Sequence, residues 1–408
     1  MAGTFLNSDV VVNELLLAFQ NELGIGRFVK HEYDKEFGKS GAKKGDTIRL
    51  RDQVQLTIGE GDAITPQSIE ERSRNLALNY HKHVAWEWTV REETLNVDQW
   101  MTRYGLEAVR QLANDLDRTG MRLAAQGTGN TVGTFDTAVA AFRTFNDGRA
   151  MIRRFAAPAS SDILFLVDEA TEVDAVTLAQ AFFQSQAQIK RQYEDGNMGR
   201  ANGGNWHMTQ NVYRHTVGPL GGTPTVNGAG QTGASIITAA WTAAAANRLL
   251  LGDVVTFAGC NAVNPITKQN LGRLKEFVVT ADTSSDGAGA LTIPISPSIE
   301  VTGPYQNVSA SPTNGGAVLT FGTASSHQNE IGANNLIMHP DAMVLAMAPM
   351  YVPKNLDFGA MRQDPDTGLA ISFARDFDIL THKLITRVDV LAGWAVTHQD
   401  WICRLLAD

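Results

Sequence analysis

Hydrophobic positions repeat every second residue from Thr47 onward. Ile48, Leu50, Val54, Leu56 and Ile58 alternate with Arg49, Arg51, Gln53, Gln55 and Thr57, the pattern of a half-buried strand. After a turn-rich stretch, GEGDAITPQSIEERSR, alternation resumes through Leu76, Leu78, Tyr80, Val84, Trp86, Trp88 and Val90. The opposite face carries Asn75, Asn79, His81, His83, Glu87 and Thr89. That second run is about three times the usual strand length of roughly five to six residues. Together the runs predict a long hairpin, and a hairpin is marginal in water unless it lies on a surface.

On either side the period changes. Residues 1–45 read as an arm: Val10 to Phe19 fits a short helix, and the glycine-punctuated stretch after it is too polar to fold alone. Asn96 to Gln126 returns to helical spacing through Val97, Trp100, Tyr104, Val109, Leu112, Leu116 and Leu123, with Asn96 placed as N-cap. A helix of roughly thirty residues spans about 45 Å, a strut rather than an ordinary globular helix. Residues 135–205 read as α/β, with helices over Ala138–Phe155 and Glu172–Tyr193 around the apolar strand Ile163–Val167. From about 209 to 333, Gly, Thr, Ser and Val dominate. Short strands (GDVVTFAG, KEFVVTADT, ALTIPISPS, GAVLTFGTA) separated by turns predict a small all-β barrel or sandwich. Apolar α/β character returns after Asn334, so the β region reads as inserted in a parent domain. A strand at Leu336–Met338 is followed by a predicted helix entered through His339-Pro340-Asp341, where proline suits the first turn and Met343 and Met347 take helix-core spacing. Phe377 to Leu405 reads as strands of one sheet.

Composition narrows the classes. With 408 residues, 43% hydrophobic and 19% charged, the chain is ordinary globular material of two or three domains. No apolar run reaches the roughly 18 residues of a membrane span, and the N-terminus lacks the features of a secretory signal. Two distant cysteines, Cys260 and Cys403, argue against a disulfide framework. The net charge is −9, with no basic block of the kind that grips phosphates. An acidic wall still suits a container for DNA that must later leave.

The motifs that suggest chemistry each have a plainer account. Gly38-Lys39-Ser40 ends like a phosphate loop, but Tyr33 stands where that motif needs glycine. Gly228, Gly230 and Gly233 fit G-x-G-x-x-G with Asp253 downstream, yet the stretch before them is turn-rich and no convincing strand. His81 and His83 share a strand face without the further ligands that zinc takes. Asp376, Asp378 and Asp389 stand beside Arg375 and Arg387 as surface ion pairs rather than acid–base partners. The reading is therefore of a non-enzyme, without metal or cofactor.

The order of arm, overlong hairpin, strut and α/β domain with a β insertion resembles the Hong Kong 97-type capsid fold of tailed phages. More closely it resembles the coat proteins of short-tailed Salmonella temperate phages, whose fold carries an inserted β-barrel. The strings that carry the likeness are GDVVTFAGC followed by AVNP and LKEFVV, then NNLIMHPDAMVLAMAPMYVP, and RDFDI through RVDVLAGWAV. The resemblance implies an α+β fold with an N-arm at 1–45, E-loop and peripheral strands at 46–92, and a peripheral domain with spine helix at 93–134. It further implies an axial domain in two parts, at 135–208 and from 334, interrupted by the inserted barrel at 209–333, with a C-terminal return to the peripheral domain by 408. It implies a major capsid protein that self-assembles into pentamers and hexamers of an icosahedral virion shell in the host cytoplasm. Its partners would be a scaffolding protein, a portal protein at one vertex and non-specifically packaged double-stranded DNA, without cofactor or membrane.

Candidate intersubunit residues are then Arg49, Arg51, Glu60, Asp62, Glu70 and Glu71 on the E-loop and Glu194 and Asp195 near the axial contacts. Some relatives fuse their shells through an E-loop lysine. Thr47 to Arg74 contains none, which predicts a non-covalent shell. The insertion also reads as shortened, since Trp241 reaches Gly252 through TAAAANRLLL. The alternative reading is another phage or cell-surface structural protein of decoration or adhesin type.

Overall fold

The structure, a computed structural model, describes residues 8–31, 47–56, 66, 68–69, 71–91, 104–159, 163–179, 198–321, 327–353, 356–365 and 367–407. The chain divides into two compact units. The first is Met1–Asp52, Ser73–Gly120 and Met343–Thr397; the second is Gln53–Arg72, Met121–Ala342 and His398–Asp408.

In chain order, α1 (Ser8–Glu22) and the single turn α2 (Ile25–Phe28) lead to the short strand β1 (Lys30–His31). β2 (Thr47–Arg51), β3 (Ser73–Ala77) and β4 (Tyr80–Thr89) precede α3 (Leu106–Gly127). Then come β5 (Thr131–Gly133), α4 (Arg143–Arg154), β6 (Ile163–Val167), α5 (Glu169–Ala179), β7 (Arg200–Ala201), β8 (Gly204–Met208) and β9 (Tyr213–Thr216). Eight strands follow without a helix: β10 (Gly222–Val226), β11 (Gly233–Trp241), β12 (Ala246–Leu249), β13 (Val254–Val263), β14 (Asn270–Val279), β15 (Thr283–Ser285), β16 (Leu291–Ile299) and β17 (Val318–Thr320). The chain closes with β18 (Ile331–Met338), β19 (Met343–Ala348), β20 (Phe358–Gln363), β21 (Ala370–Asp378), β22 (Lys383–Val396) and β23 (Ile402–Ala407).

The first unit is built on the sheet β1-β19-β22-β21-β20, with β4 also paired to β22. α1 packs on β20 and β21 through Val11, Val12, Leu15, Leu16 and Phe19, whose spacing puts them on one helical face. Gln20 fixes the helix by donating to Asp364 Oδ2 at 2.7 Å. In α3, Val109, Leu112, Ala113 and Leu116 are buried at helical spacing. Asp117, also buried, accepts hydrogen bonds from the Gly24 and Gly26 amides, the second at 3.0 Å. Burial pushes its carboxyl up to about 6 against the pull of those two donors.

Among the described residues the second unit holds two large sheets and the two-stranded pair β12–β15. One has the order β5-β23-β18-β6-β8-β7 with β9 on β18, and its central strand β6 is buried at every position. The chain leaves this sheet at Thr216 and re-enters at Ile331, directly opposite in register. Between these points lies the second sheet, β10-β11-β16-β14-β13-β17. A bridge between Thr225 and Ala317 links its two edges, so it curls toward a barrel. Val255, Phe257, Phe277, Val279, Ile293 and Ile295 fill its interior.

The structure departs from the sequence reading at several points. The run from Leu76 to Val90 is two strands: β3 pairs with β2, and β4 pairs with β22. Hydrophobic alternation continues across the break because both strands bury one face. His339-Pro340-Asp341 opens only one 3₁₀ turn, and Met343 to Ala348 is a strand with every side chain buried. An apolar residue at every position satisfies a doubly covered strand as well as a helix, and here a sheet covers it. Helix α4 begins at Arg143 rather than Ala138, because Asp136 is left-handed (φ 51°) and Asp174 takes the Val139 amide at 2.8 Å. β22 and β23 belong to different sheets, so Phe377–Leu405 is not one sheet. Residues 343–397 also lie in a different unit from 334–342. The first part of the predicted strut (96–103) and the end of the Glu172–Tyr193 helix lie outside the described residues.

Candidate assembly surface

The β2–β3 hairpin pairs Thr47 with Ala77 and Arg51 with Ser73. Its inward face, Leu50, Leu76 and Leu78, packs on Val344, Ala346 and Ala348. Strand alternation therefore turns Arg49 and Arg51 outward, and both are exposed. Arg74 anchors the hairpin by donating to Asp52 Oδ2 at 3.2 Å and to the Val396 carbonyl at 3.0 Å.

Beyond Asp52 the connector carries Val54, Leu56 and Ile69, which are 43%, 58% and 66% exposed. Three large aliphatics in one connector, bared to water, are what a surface awaiting a partner offers. Both ends of the connector are held in the second unit. Arg72 forks onto Glu300, Nη1 to Oε1 at 2.8 Å and Nη2 to Oε2 at 3.1 Å, and its guanidinium lies 3.8 Å from the centre of the Tyr305 ring. Lys268 reaches Gln55 Oε1 at 3.3 Å while donating to the carbonyls of Pro304 and Gln306. Burial lowers the pKa of that amine, against the pull of Glu300.

Of the residues singled out in the sequence, Arg49, Arg51 and Glu71 are exposed, the first two on β2 and the third beside Arg72. Glu60, Asp62, Glu70, Glu194 and Asp195 lie outside the described residues. Arg72, Gln55, Lys268 and Glu300 were missed. Arg72 and Glu300 are 228 positions apart, and no local pattern links them.

The residues that suggested chemistry are occupied structurally. Gly228, Gly230 and Gly233 turn the chain between antiparallel β10 and β11, with no helix to receive a phosphate. Asp253 is fully buried, accepting from Gly218 and Leu250 amides at 3.1 and 2.8 Å and contacting His215 Nε2 at 2.8 Å. His81 lies 3.2 Å from Asp389, which also binds Arg387. Asp378 caps the β21–β22 turn through the Leu380 amide and the Thr381 hydroxyl. Gly38-Lys39-Ser40 lies outside the described residues. Among the described residues no group of three His, Cys, Asp or Glu side chains is placed to hold a metal, and no helix is long and apolar enough to cross a membrane.

An outward-facing hairpin with a bared apolar connector suits association, and comparison with known proteins decides which kind. Residues 1–402 match the family described as P22 coat protein, gene protein 5. The chain belongs to the P22 coat protein family. It is a phage major capsid protein, a structural component of the virion that self-associates into the shell. No curated protein matches the chain. Solved structures similar to it include that of Mycobacterium phage Che8, at 9% identity and TM-score 0.45, covering 94% of this chain and 90% of that one. Another is the capsid structure of the Cyanophage P-SCSP1u, at 10% and 0.43, covering 93% and 89%. The capsid of Ralstonia phage GP4 is similar at 8% and 0.43, covering 94% and 88%.

Proposed function

We propose that this coat protein builds a closed icosahedral shell of pentamers and hexamers around a double-stranded DNA genome, with the β2–β3 hairpin acting as the E-loop. The hairpin lies across an adjacent copy and buries Val54, Leu56 and Ile69 there. Each contact is modest, and the shell gains its durability from repetition. The exposed connector on a chain of this family is the observation that carries the reading.

In the finer assignment, α3 is the spine helix of a peripheral domain that includes 343–397. The β5–β9, β18 and β23 sheet is the axial domain, and β10–β17 is the inserted barrel. The departure and return of the chain at neighbouring strands β9 and β18 support the insertion. With no lysine between Thr47 and Arg74, the contacts across the hairpin are non-covalent. A scaffolding protein guides assembly, a portal occupies one vertex, and DNA is enclosed without sequence preference. Glu60, Asp62, Glu70, Glu194 and Asp195, with Arg49, Arg51 and Glu71, are proposed to line contacts between copies.

The test is to express the chain with and without the product of the neighbouring scaffold gene and examine it by sedimentation and negative-stain microscopy. Closed shells are expected, and replacing Val54, Leu56 and Ile69 by serine should abolish them while leaving a folded, soluble chain. A wild-type chain that stays monomeric under both conditions refutes the proposal.

A further inference from the structure

The contacts at Arg72 and Gln55 lie within one chain, although the hairpin they belong to is the element proposed to serve a neighbour. We propose that the β13–β14 and β16–β17 loops of the inserted barrel form a docking cradle for the chain's own E-loop, pinning both ends of the connector in cis so that a second copy meets it already positioned. The inference rests on the coat-protein reading above and adds to it a role for the barrel.

The cradle is held by contacts within its own loops. Asn307 Oδ1 accepts the Glu300 amide at 3.0 Å, and its Nδ2 donates to the Ser298 carbonyl at 2.7 Å. Ser298 Oγ donates to Glu300 Oε1 at 3.2 Å, so the carboxylate is aimed by its own loop. Tyr305 follows five residues later and supplies a ring face to the guanidinium. A planar fork on a carboxylate, stacked on an aromatic face, is the arrangement for which arginine is chosen over lysine. The second pin is as well defined. Lys268 has φ 56°, a left-handed conformation that a non-glycine residue holds when its surroundings fix it. The Asn264 carbonyl takes its amide at 3.0 Å, while Asn264 Oδ1 takes the amides of Ile266 and Thr267. Its amine thereby reaches Gln55 and the 304–306 carbonyls together. Gln55 and Arg72 stand at opposite ends of the connector, so the two pins fix where it begins and where it ends. Pre-setting a loop cuts the ordering cost paid when a partner binds it.

Charge reversal separates this arrangement from its alternative. Arg72→Glu and Glu300→Arg, each alone, should lower the yield of closed shells by about tenfold or more, since a small loss per contact is multiplied over the lattice. Both changes in one chain restore the pair in cis and should return the yield to near wild type. An equal mixture of the two single variants in one cell offers correct pairs only between chains and should remain low. Recovery in the mixture would overturn the proposal by placing the contact in trans, and wild-type yield from the single variants would overturn it by leaving the contact without a role.

Covalent trapping gives a readout that does not need assembly. In an Arg72→Cys/Glu300→Cys chain, a short thiol cross-linker should form an intrachain bridge in the soluble protein. The two native cysteines, both buried, do not compete. Cross-links only between chains, or none, would refute the cis cradle. If the wild-type chain builds no shell at all the coat reading fails, while this cross-link still decides the cradle.

Discussion

Asp117 links the N-terminal segment to α3, and its energetics can be tested through pH. The carboxylate is 2% exposed and receives the amides of Gly24 and Gly26. Burial wins over those donors, and its carboxyl is pushed from 3.8 up to about 6. A folded-state value above the unfolded one means that the native state binds the proton more tightly. The group therefore adds stability as pH falls through about 6 toward 3.8, and ionised Asp117 is a burden above that window. From these two values the linkage relation gives about 1.4 kcal/mol between pH 8 and pH 5, as an order of magnitude. The perturbation is Asp117→Asn, which keeps the shape and removes the titration. Asparagine offers one acceptor where the carboxylate offered two, so it also loses a bond to one glycine amide, at about 1–3 kcal/mol at any pH. Urea unfolding of the soluble chain, wild type and variant, should be followed from pH 8 to pH 5. The wild-type advantage is expected to grow by about 1.4 kcal/mol toward pH 5, a difference between the two pH values from which the constant hydrogen-bond loss drops out. An advantage that is flat with pH, or that shrinks toward pH 5, would refute the account of a carboxylate governed by burial.

Other consequences can be checked with the same assay. Lys275, 1% exposed, pairs with Asp400 and lies 4.2 Å from the Phe155 ring centre, so Asp400→Ala strands a buried ammonium and should cost about 2–4 kcal/mol, tempered by the 28% exposure of Asp400. Lys275→Met removes the charge with its need for a partner and should stay within about 1 kcal/mol of wild type. A Cβ on Gly120 would meet Trp394 Cζ2 at 2.8 Å, so Gly120→Ala should be destabilising overall, overpacking of about 1–3 kcal/mol outweighing a helix-propensity gain of about 1 kcal/mol. Burial pushes the Cys260 thiol up to about 12 and raises Cys403 as well, so neither should react with a thiol reagent at pH 8 until urea unfolds the chain, and then both should.

Alternation made β2, β3 and β4 legible because each buries one face, and it hid the break between β3 and β4 for the same reason. A hydrophobic pattern records which face is covered and not which strand covers it. β2 serves β3 while β22 serves β4, and nothing in the run at Leu78–Asn79 reveals the change of partner. The same limit produced the misplaced helix after Pro340. Met343–Ala348 is apolar at every position, and the presence of β22 and β1 alongside makes it a strand. The contact between Arg72 and Glu300 lay further out of reach. Both look like ordinary surface charges in turn-rich stretches, and they meet where the end of the connector reaches the residue that follows β16.

The buried charges were within reach of the sequence, through strand parity rather than composition. Lys275, Phe277 and Val279 stand two apart on β14, so a strand that buries the phenylalanine and the valine must carry the lysine to the same side. All three are 1% exposed or less, and Lys275 is tolerated there only because Asp400 and the Phe155 ring receive it. Arg404 extends the argument to a strand buried on both faces, where parity offers no escape at all. It is fully buried in β23, donates to the Gly252 and Thr128 carbonyls, and has its pKa lowered to about 10 by that burial. Such a cation cannot be there for solubility, and its cost is offset by the carbonyls it joins and by the nearby charges of Asp253 and Glu276. Those carbonyls lie just before β13 and just after α3, so Arg404 ties the start of the curled sheet to the sheet that holds β23. A charge at an inward position of an apolar strand is thus a sign that another segment must receive it there, and the structure supplies which one, Asp400 for Lys275 and the carbonyls of Gly252 and Thr128 for Arg404.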